Sequence, residues 1–313
     1  PLLACEGEEI TFTITVNPTG QVDLPESQVV CNGELTNVNF TTVNTGGATT
    51  YSWTTSNDNL GLDLITSGDI SFTAINEGTL PISTEITVTP TYTNDGESCE
   101  GPSETFTIRI NPSGQVDPIN DLFICNGETI DIIFSTENDS STGTTSYSWN
   151  SDTEIGQLDL DSGNMNFDAI NNDINPIAAL FTVVPTYTNN GVSCTGPEQT
   201  FTITVNPNNE MINPDNIVLC NNSESEIIVF SSQNSIGTNS YTWTNDTPSI
   251  GLEAIGNGNI ESFVAVNGGS SPIVATIVVT PTYDVTDPLL ACEGEEITFT
   301  ITVNPTGQVD QPD

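Results

Sequence analysis

The segment TFTITVNPTGQVD fills residues 11–23 and returns unchanged at residues 298–310. Two relatives stand between them, TFTIRINPSGQVD from Thr105 and TFTITVNPNNEMI from Thr200. The four starts lie 94, 95 and 98 residues apart. That period is too long for a solenoid unit and matches one small all-β domain. The 313 residues then hold three complete repeats, 24–117, 118–212 and 213–310. Residues 1–23 read as the last strand of a preceding repeat, and 311–313 as the start of a following one. On this reading the chain is a stretch of a longer array, and its lack of a signal peptide says nothing about export.

Within residues 24–117 the pattern is a run of short strands. Gln28-Val29-Val30 opens the repeat, and Asn32-Gly33 marks a turn. Val38 and Phe40 alternate with polar residues in a second strand. Tyr51 and Trp53 share one face of a third, because strand side chains repeat every two residues. Gly61 and Gly68 bracket a short strand with Leu62 and Leu64, and Ile70 and Phe72 lie on one face of the next. A Thr-rich strand from Thr84 to Thr93 turns at Asn94-Asp95-Gly96. Phe106, Ile108 and Ile110 point inward on the closing strand, which ends at Asn111-Pro112 because proline cannot donate to a ladder. About seven short strands with Gly and Pro turns and no helix describe an all-β Greek-key sandwich. The fold class is therefore tandem immunoglobulin-like β-sandwiches, end to end. Phe40, Phe134 and Phe230 correspond, as do Trp53, Trp149 and Trp243, and all six are assigned to the cores. Short connections carrying Pro25, Pro118 and Pro214 predict stiff links, so each repeat would advance the array by roughly 40 Å.

The seven cysteines fall into two classes, Cys31, Cys125 and Cys220 in one, Cys5, Cys99, Cys194 and Cys292 in the other. No CxxC pair is present, so structural disulfides in an oxidising compartment are expected rather than zinc. Leu2-Leu3-Ala4-Cys5 has the form of a lipid-attachment signal, but its recurrence at Leu289 to Cys292 marks it as ordinary repeat sequence. In an immunoglobulin-like bead, Cys31 would end the first strand at the far pole, and Cys99 would follow the last hairpin at the near pole. A strand length, ~25–30 Å, would separate their sulfurs, whereas a disulfide needs Cα atoms within ~7 Å. This points to Cys31 with Cys194 and Cys125 with Cys292, leaving Cys5, Cys99 and Cys220 for other beads. Two patterns stay open beside it. One pairs within each repeat, Cys31–Cys99, Cys125–Cys194 and Cys220–Cys292. The other pairs along the chain, as in Cys99–Cys125.

Several stretches together carry a resemblance: Cys31-Asn32-Gly33, YSW at Tyr51 to Trp53, TPTYT at Thr89 to Thr93, CEGP at Cys99, and TFTIxxNP. They resemble the PKD-like, immunoglobulin-like repeats of giant Bacteroidetes cell-surface adhesins, of the flavobacterial gliding-adhesin type exported by the type IX route. The resemblance covers the whole chain. It implies an extracellular, surface-attached filament acting in adhesion and gliding motility. Ordinary PKD domains follow the third-strand Trp with a WDFGDG-like run. Here YSWTTSNDN, YSWNSDTEI and YTWTNDTPS stand in its place.

Charge narrows the chemistry. There are 42 acidic residues, one Arg (Arg109), no Lys and no His. Nucleic acid and anionic membrane surfaces are disfavoured as partners, because phosphate contacts need cations. No apolar run approaches a membrane span. Imidazole catalysis and Schiff bases have no residues to use. One acid, Asp63, Asp159 or Glu253, recurs at a core-flanking position, whereas glycoside hydrolysis needs two. An enzyme is not expected. Calcium is the chemical candidate, with Asp159, Asp161 and Asn164 the best oxygen-rich turn, although no EF-hand pattern fits. Weak, diffuse divalent binding follows from the charge alone, and no other cofactor is expected.

Two functions fit these residues. The first is a repeat region of a long extracellular adhesive filament, a mechanical stalk or track. Its partners are neighbouring repeats of the same chain and a surface polysaccharide or abiotic substratum. The second is an array of carbohydrate-binding modules in a secreted polysaccharide-degrading protein. That would expose aromatics as stacking platforms, whereas the six Tyr and three Trp fall at strand positions that read as internal.

Overall fold

The computed structural model describes residues 5–57, 59–62, 67–157, 161–286 and 289–307. The first repeat forms β1 (Gln28–Cys31), β2 (Leu35–Val38), β3 (Ala48–Thr55), β4 (Ile70–Thr73), β5 (Ile82–Asn94), β6 (Glu97–Glu100) and β7 (Glu104–Asn111). The second forms β8 (Leu122–Cys125), β9 (Thr129–Ile132), β10 (Thr144–Ser151), β11 (Asp161–Ser162), β12 (Met165–Asp168), β13 (Ile177–Asn189), β14 (Val192–Thr195) and β15 (Gln199–Asn206). The third forms β16 (Ile217–Cys220), β17 (Thr238–Asn245), β18 (Ile255–Asn257), β19 (Ile273–Thr286), β20 (Leu289–Glu293) and β21 (Ile297–Asn304). The architecture is all-β, a tandem of immunoglobulin-like sandwiches. One 3-10 turn, Pro248–Ile250, departs from the expectation of no helix. Proline at its start and Gly251 in the left-handed region at its end explain it.

In the first repeat the larger sheet runs β1-β7-β5-β3, and β2 pairs with β4 in the facing sheet. β1 lies parallel to β7, with Cys31 opposite Asn111. The third repeat keeps the larger sheet, with Cys220 opposite Asn304, while its facing layer is held by the isolated bridges Glu224–Val264 and Ile228–Ile260; the second repeat pairs Cys125 with Asn206 in the same parallel register. Alternation along β7 buries Phe106, Ile108 and Ile110 against Val38, Phe40, Trp53, Ile86 and Val88. Removing each such side chain from water contributes roughly 1.5–3 kcal/mol.

Proline stands inside the longest strand of each repeat, as Pro90, Pro185 and Pro281. In the first, pairing with β7 ends at Val88–Glu104 and pairing with β6 begins at Thr91–Glu100. Pro90 sits where the ladder changes partner and no donor is required.

Residues 5–27 form no strand. The closing-strand sequence there has Phe12 81%, Ile14 78% and Val16 86% exposed, while its copy in β21 has Phe299 at 2% and Ile301 and Val303 at 0%. The sequence is the same; β21 has β19 and β16 as neighbours, and residues 11–16 have no partner strand.

The chain divides into two compact units. The first holds residues 1–117, 135–146 and 184–197; the second holds 118–134, 147–183 and 198–313. Each unit contains one whole sandwich and one junction between consecutive repeats.

Candidate functional site

The residues that converge between different repeats are those at the junctions. In the first unit the far pole of repeat 1 meets the near pole of repeat 2. Cys31 at the end of β1 is bonded to Cys194 in β14, with Cα atoms 5.4 Å apart. Asn111, fully buried at the end of β7, donates through Nδ2 to the Asn189 carbonyl at 3.2 Å. Asn32 Nδ2 donates to Ser113 Oγ at 3.3 Å, and the Asp139 N–H donates to the Thr79 carbonyl at 3.1 Å.

The second unit has the corresponding junction. Cys125 is bonded to Cys292 with Cα atoms 5.5 Å apart, and both pack with Tyr283 in a small buried cluster. Asn234 Nδ2 donates to the Ile174 carbonyl at 2.9 Å, and Ser235 Oγ donates to Asn175 Oδ1 at 3.0 Å. A cavity of about 430 Å³ opens here, its lining including Asn126, Asn209, Glu210 and Glu295. The bonds join neither the two cysteines of one repeat nor cysteines adjacent along the chain. Cys5 and Cys220 are exposed thiols and Cys99 a partly buried one.

A glycine stands at the near pole at each crossing, Gly196 against Gly114 at the first junction and Gly294 against Asn209 at the second. Gly114 N–H donates to the Cys194 carbonyl at 3.0 Å, as Gly20 does to Cys99 at 3.1 Å. A Cβ on Gly101 or Gly196 would fall inside the Gly20 or Gly114 carbonyl. The glycine of GQVD-type linkers and the glycine of CEGP are therefore two sides of one crossing. Tyr187, fully buried beside Cys194, packs over Gly143, where a Cβ would lie 2.5 Å from its ring.

A second set of residues was not singled out in the sequence. Asn76, Asn171 and Asn267 are 4%, 4% and 1% exposed. Asn171 Nδ2 donates to the carbonyls of Asn175 and Val205 at 2.9 and 2.8 Å. Its own N–H donates to Asn126 Oδ1 at 2.9 Å. Asn76 with Asn32 and Asn267 with Asn221 repeat the arrangement. Each pair ties the residue after the first-strand cysteine to the end of the closing strand. The signal was present: Asn follows the cysteine, and AIN or AVN recurs, once per repeat.

The six core aromatics Phe40, Phe134, Phe230, Trp53, Trp149 and Trp243 are between 2% and 7% exposed. Phe40 and Tyr51 rings lie 5.2 Å apart, as do Phe134 and Tyr147. Burial first, then the Asp23 and Asp69 charges, push the Tyr51 hydroxyl above its ordinary pKa; burial does the same to Tyr241 and Tyr283.

Asp159 lies outside the described residues, as do Asp63 and the strand expected at Leu64. Asp161 pairs through its backbone with Trp149. Asn164 Oδ1 accepts the Phe134 N–H at 3.0 Å. Asp69 serves Phe40 and Asn259 serves Phe230 in the same way, each at 2.9 Å. This position supplies an acceptor to a backbone N–H just past the β2-type strand, a structural task that explains its recurrence. Among the described residues no group of three or more acidic, His or Cys side chains could hold a metal ion, and no helix is long and apolar enough to cross a membrane.

No family model and no curated protein matches the chain. Among solved structures it is similar to the three N-terminal domains of the bacteriophage RB49 Highly Immunogenic Outer Capsid protein, at 12% identity over 92% of this chain and 99% of that one, with a TM-score of 0.39. It is also similar to mouse cadherin-23 EC22-24, at 10% identity over 92% and 98%, TM-score 0.35. A third is extracellular domains 3-5 of Drosophila OTK, at 10% identity over 92% and 96%, TM-score 0.31.

Proposed function

We propose that this chain is the repeat region of a long extracellular adhesive filament, of the flavobacterial gliding-adhesin kind, that bears load between a cell surface and a substratum. The observation that carries the reading is that both disulfides join consecutive repeats. A single bead has no use for such bonds, whereas an array under tension does. The disulfides also support an oxidising compartment. The parallel pairing of β1 with β7 fits the same role. Pull enters a repeat at the start of its first strand and leaves at the end of its last, so the ladder is sheared with its hydrogen bonds loaded together. Trypsin has Arg109 alone to attack, inside β7, which suits exposure outside a cell. The 42 acidic residues keep copies apart by like-charge repulsion, screened within ~10 Å at 0.1 M salt. The test uses Fab fragments raised against this chain on intact cells that make it. Surface labelling and reduced attachment to glass or polysaccharide are expected. Labelling restricted to permeabilised cells would overturn the proposal.

A further inference from the structure

We infer that the two disulfides interlock the three repeats, so that the chain stays one covalent piece after any single backbone cut between Cys31 and Cys292. The bonds close loops with sequence separations of 163 and 167 residues. These loops overlap: Cys125 lies inside the first, and Cys194 inside the second. A cut between 31 and 125 is bridged by Cys31–Cys194. A cut between 194 and 292 is bridged by Cys125–Cys292. A cut in the shared segment is bridged by both. In-repeat bonds could not do this, because a cut in any linker would then sever the chain. Bonds between neighbouring cysteines along the chain would instead leave the body of each repeat unprotected. Staggering each bond by one repeat closes both gaps with one bond per junction. The consequence is tolerance of proteolysis, which an exposed filament meets along its whole length. A nicked repeat loses local order without releasing what lies beyond it.

One variant tests this. Ser140 is exposed in a turn of repeat 2, and Ser140→Lys adds a second tryptic site to Arg109 in a chain without lysine. The full-length variant is unfolded in urea with free thiols blocked and no reductant, then digested to completion. The products are residues 1–109, 110–140 and 141–313. The interlock predicts one species of undiminished mass that separates into three only after reduction. Cys31–Cys194 holds the first piece to the third, and Cys125–Cys292 holds the second to the third. Release of 1–109 without reductant would show in-repeat pairing and overturn the inference. Release of 141–313 would show pairing along the chain and overturn it equally.

Discussion

Asparagine does more at the poles of these repeats than charge does. Asn171 is almost fully buried and its side-chain amide reaches two carbonyls, while its backbone N–H is held by Asn126. Asn171→Ala strands the Val205 and Asn175 carbonyls and removes the brace behind Cys125. A buried acceptor left unpaired costs about 1–3 kcal/mol, so the variant should lose about 3 kcal/mol in urea unfolding with the disulfides intact. A loss under about 0.5 kcal/mol, the range of ordinary surface substitutions, would show that the amide is not a structural brace. The tyrosines set the alkaline limit. Tyr51, Tyr241 and Tyr283 have raised pKa values in the fold, from burial first. Their contribution is complete below the ordinary tyrosine pKa of about 10 and is lost as pH climbs through the raised folded values. With no His or Lys and the three free thiols blocked, side-chain titration should leave stability nearly level from about pH 6 to 9. The denaturation midpoint should then fall together with the rise of phenolate absorbance. Phenolate appearing near pH 10 with the midpoint unchanged would refute the assignment. Carboxylates act in the other direction. Asp246 is held below its usual pKa by the Thr276 N–H and the Thr247 hydroxyl, so its contribution is present at neutral pH and disappears as acid protonates it.

At the scale of the element, local sequence and structure part company in one place that explains the rest. The segment TFTITV is a buried strand within β21 and an exposed stretch without a partner strand at residues 11–16. Its alternation specifies which face can be buried, and the neighbouring strands decide whether it is. The strands of each repeat were legible because apolar residues alternate and Gly, Pro and Asn-Gly punctuate them. The tie from Asn76 to the Ile110 carbonyl was not, because no periodicity announces a contact 34 residues away in sequence. Nor could the stretch around Asp159 be separated by composition into a ligand loop and a structural turn; Asn164 was resolved by its bond to the Phe134 N–H. The two copies permit a matched comparison. Phe299→Ala should cost about 3–5 kcal/mol as a core truncation, whereas Phe12→Ala should stay within about 0.5 kcal/mol. Equal effects in thermal unfolding of the two variants would mean that residues 11–16 are packed as β21 is.

Across the whole molecule, the covalent map sets a length that the peptide chain alone does not. Cys31 ends a strand parallel to β7, while Cys99 faces Tyr92 on the hairpin. Strand direction, visible in the sequence, thus puts the two cysteines of a repeat at opposite poles. Which neighbour each reaches depends on how the linker crosses the hairpin at Gly114 and Gly196, and that close approach has no signature beyond two glycines. Once Cys31–Cys194 and Cys125–Cys292 are formed, a fully unfolded chain pulled from its ends becomes taut along the shortest covalent path. That path jumps from Cys31 to Cys194, runs backward to Cys125, and jumps to Cys292. It contains 69 residues (194 less 125) in place of 261 (292 less 31). At ~3.4 Å per residue the span between Cys31 and Cys292 is limited to ~240 Å instead of ~900 Å. Single-molecule pulling with handles at the two ends should therefore show a short terminal contour without reductant. Adding reductant should lengthen the unfolded chain by ~660 Å. A full-length contour before reduction would mean that the junctions are not bonded in the pulled molecule. If they are, tension that melts the beads transfers to the shared segment 125–194 before it can draw out the rest, and the middle repeat is the one whose backbone carries the final load.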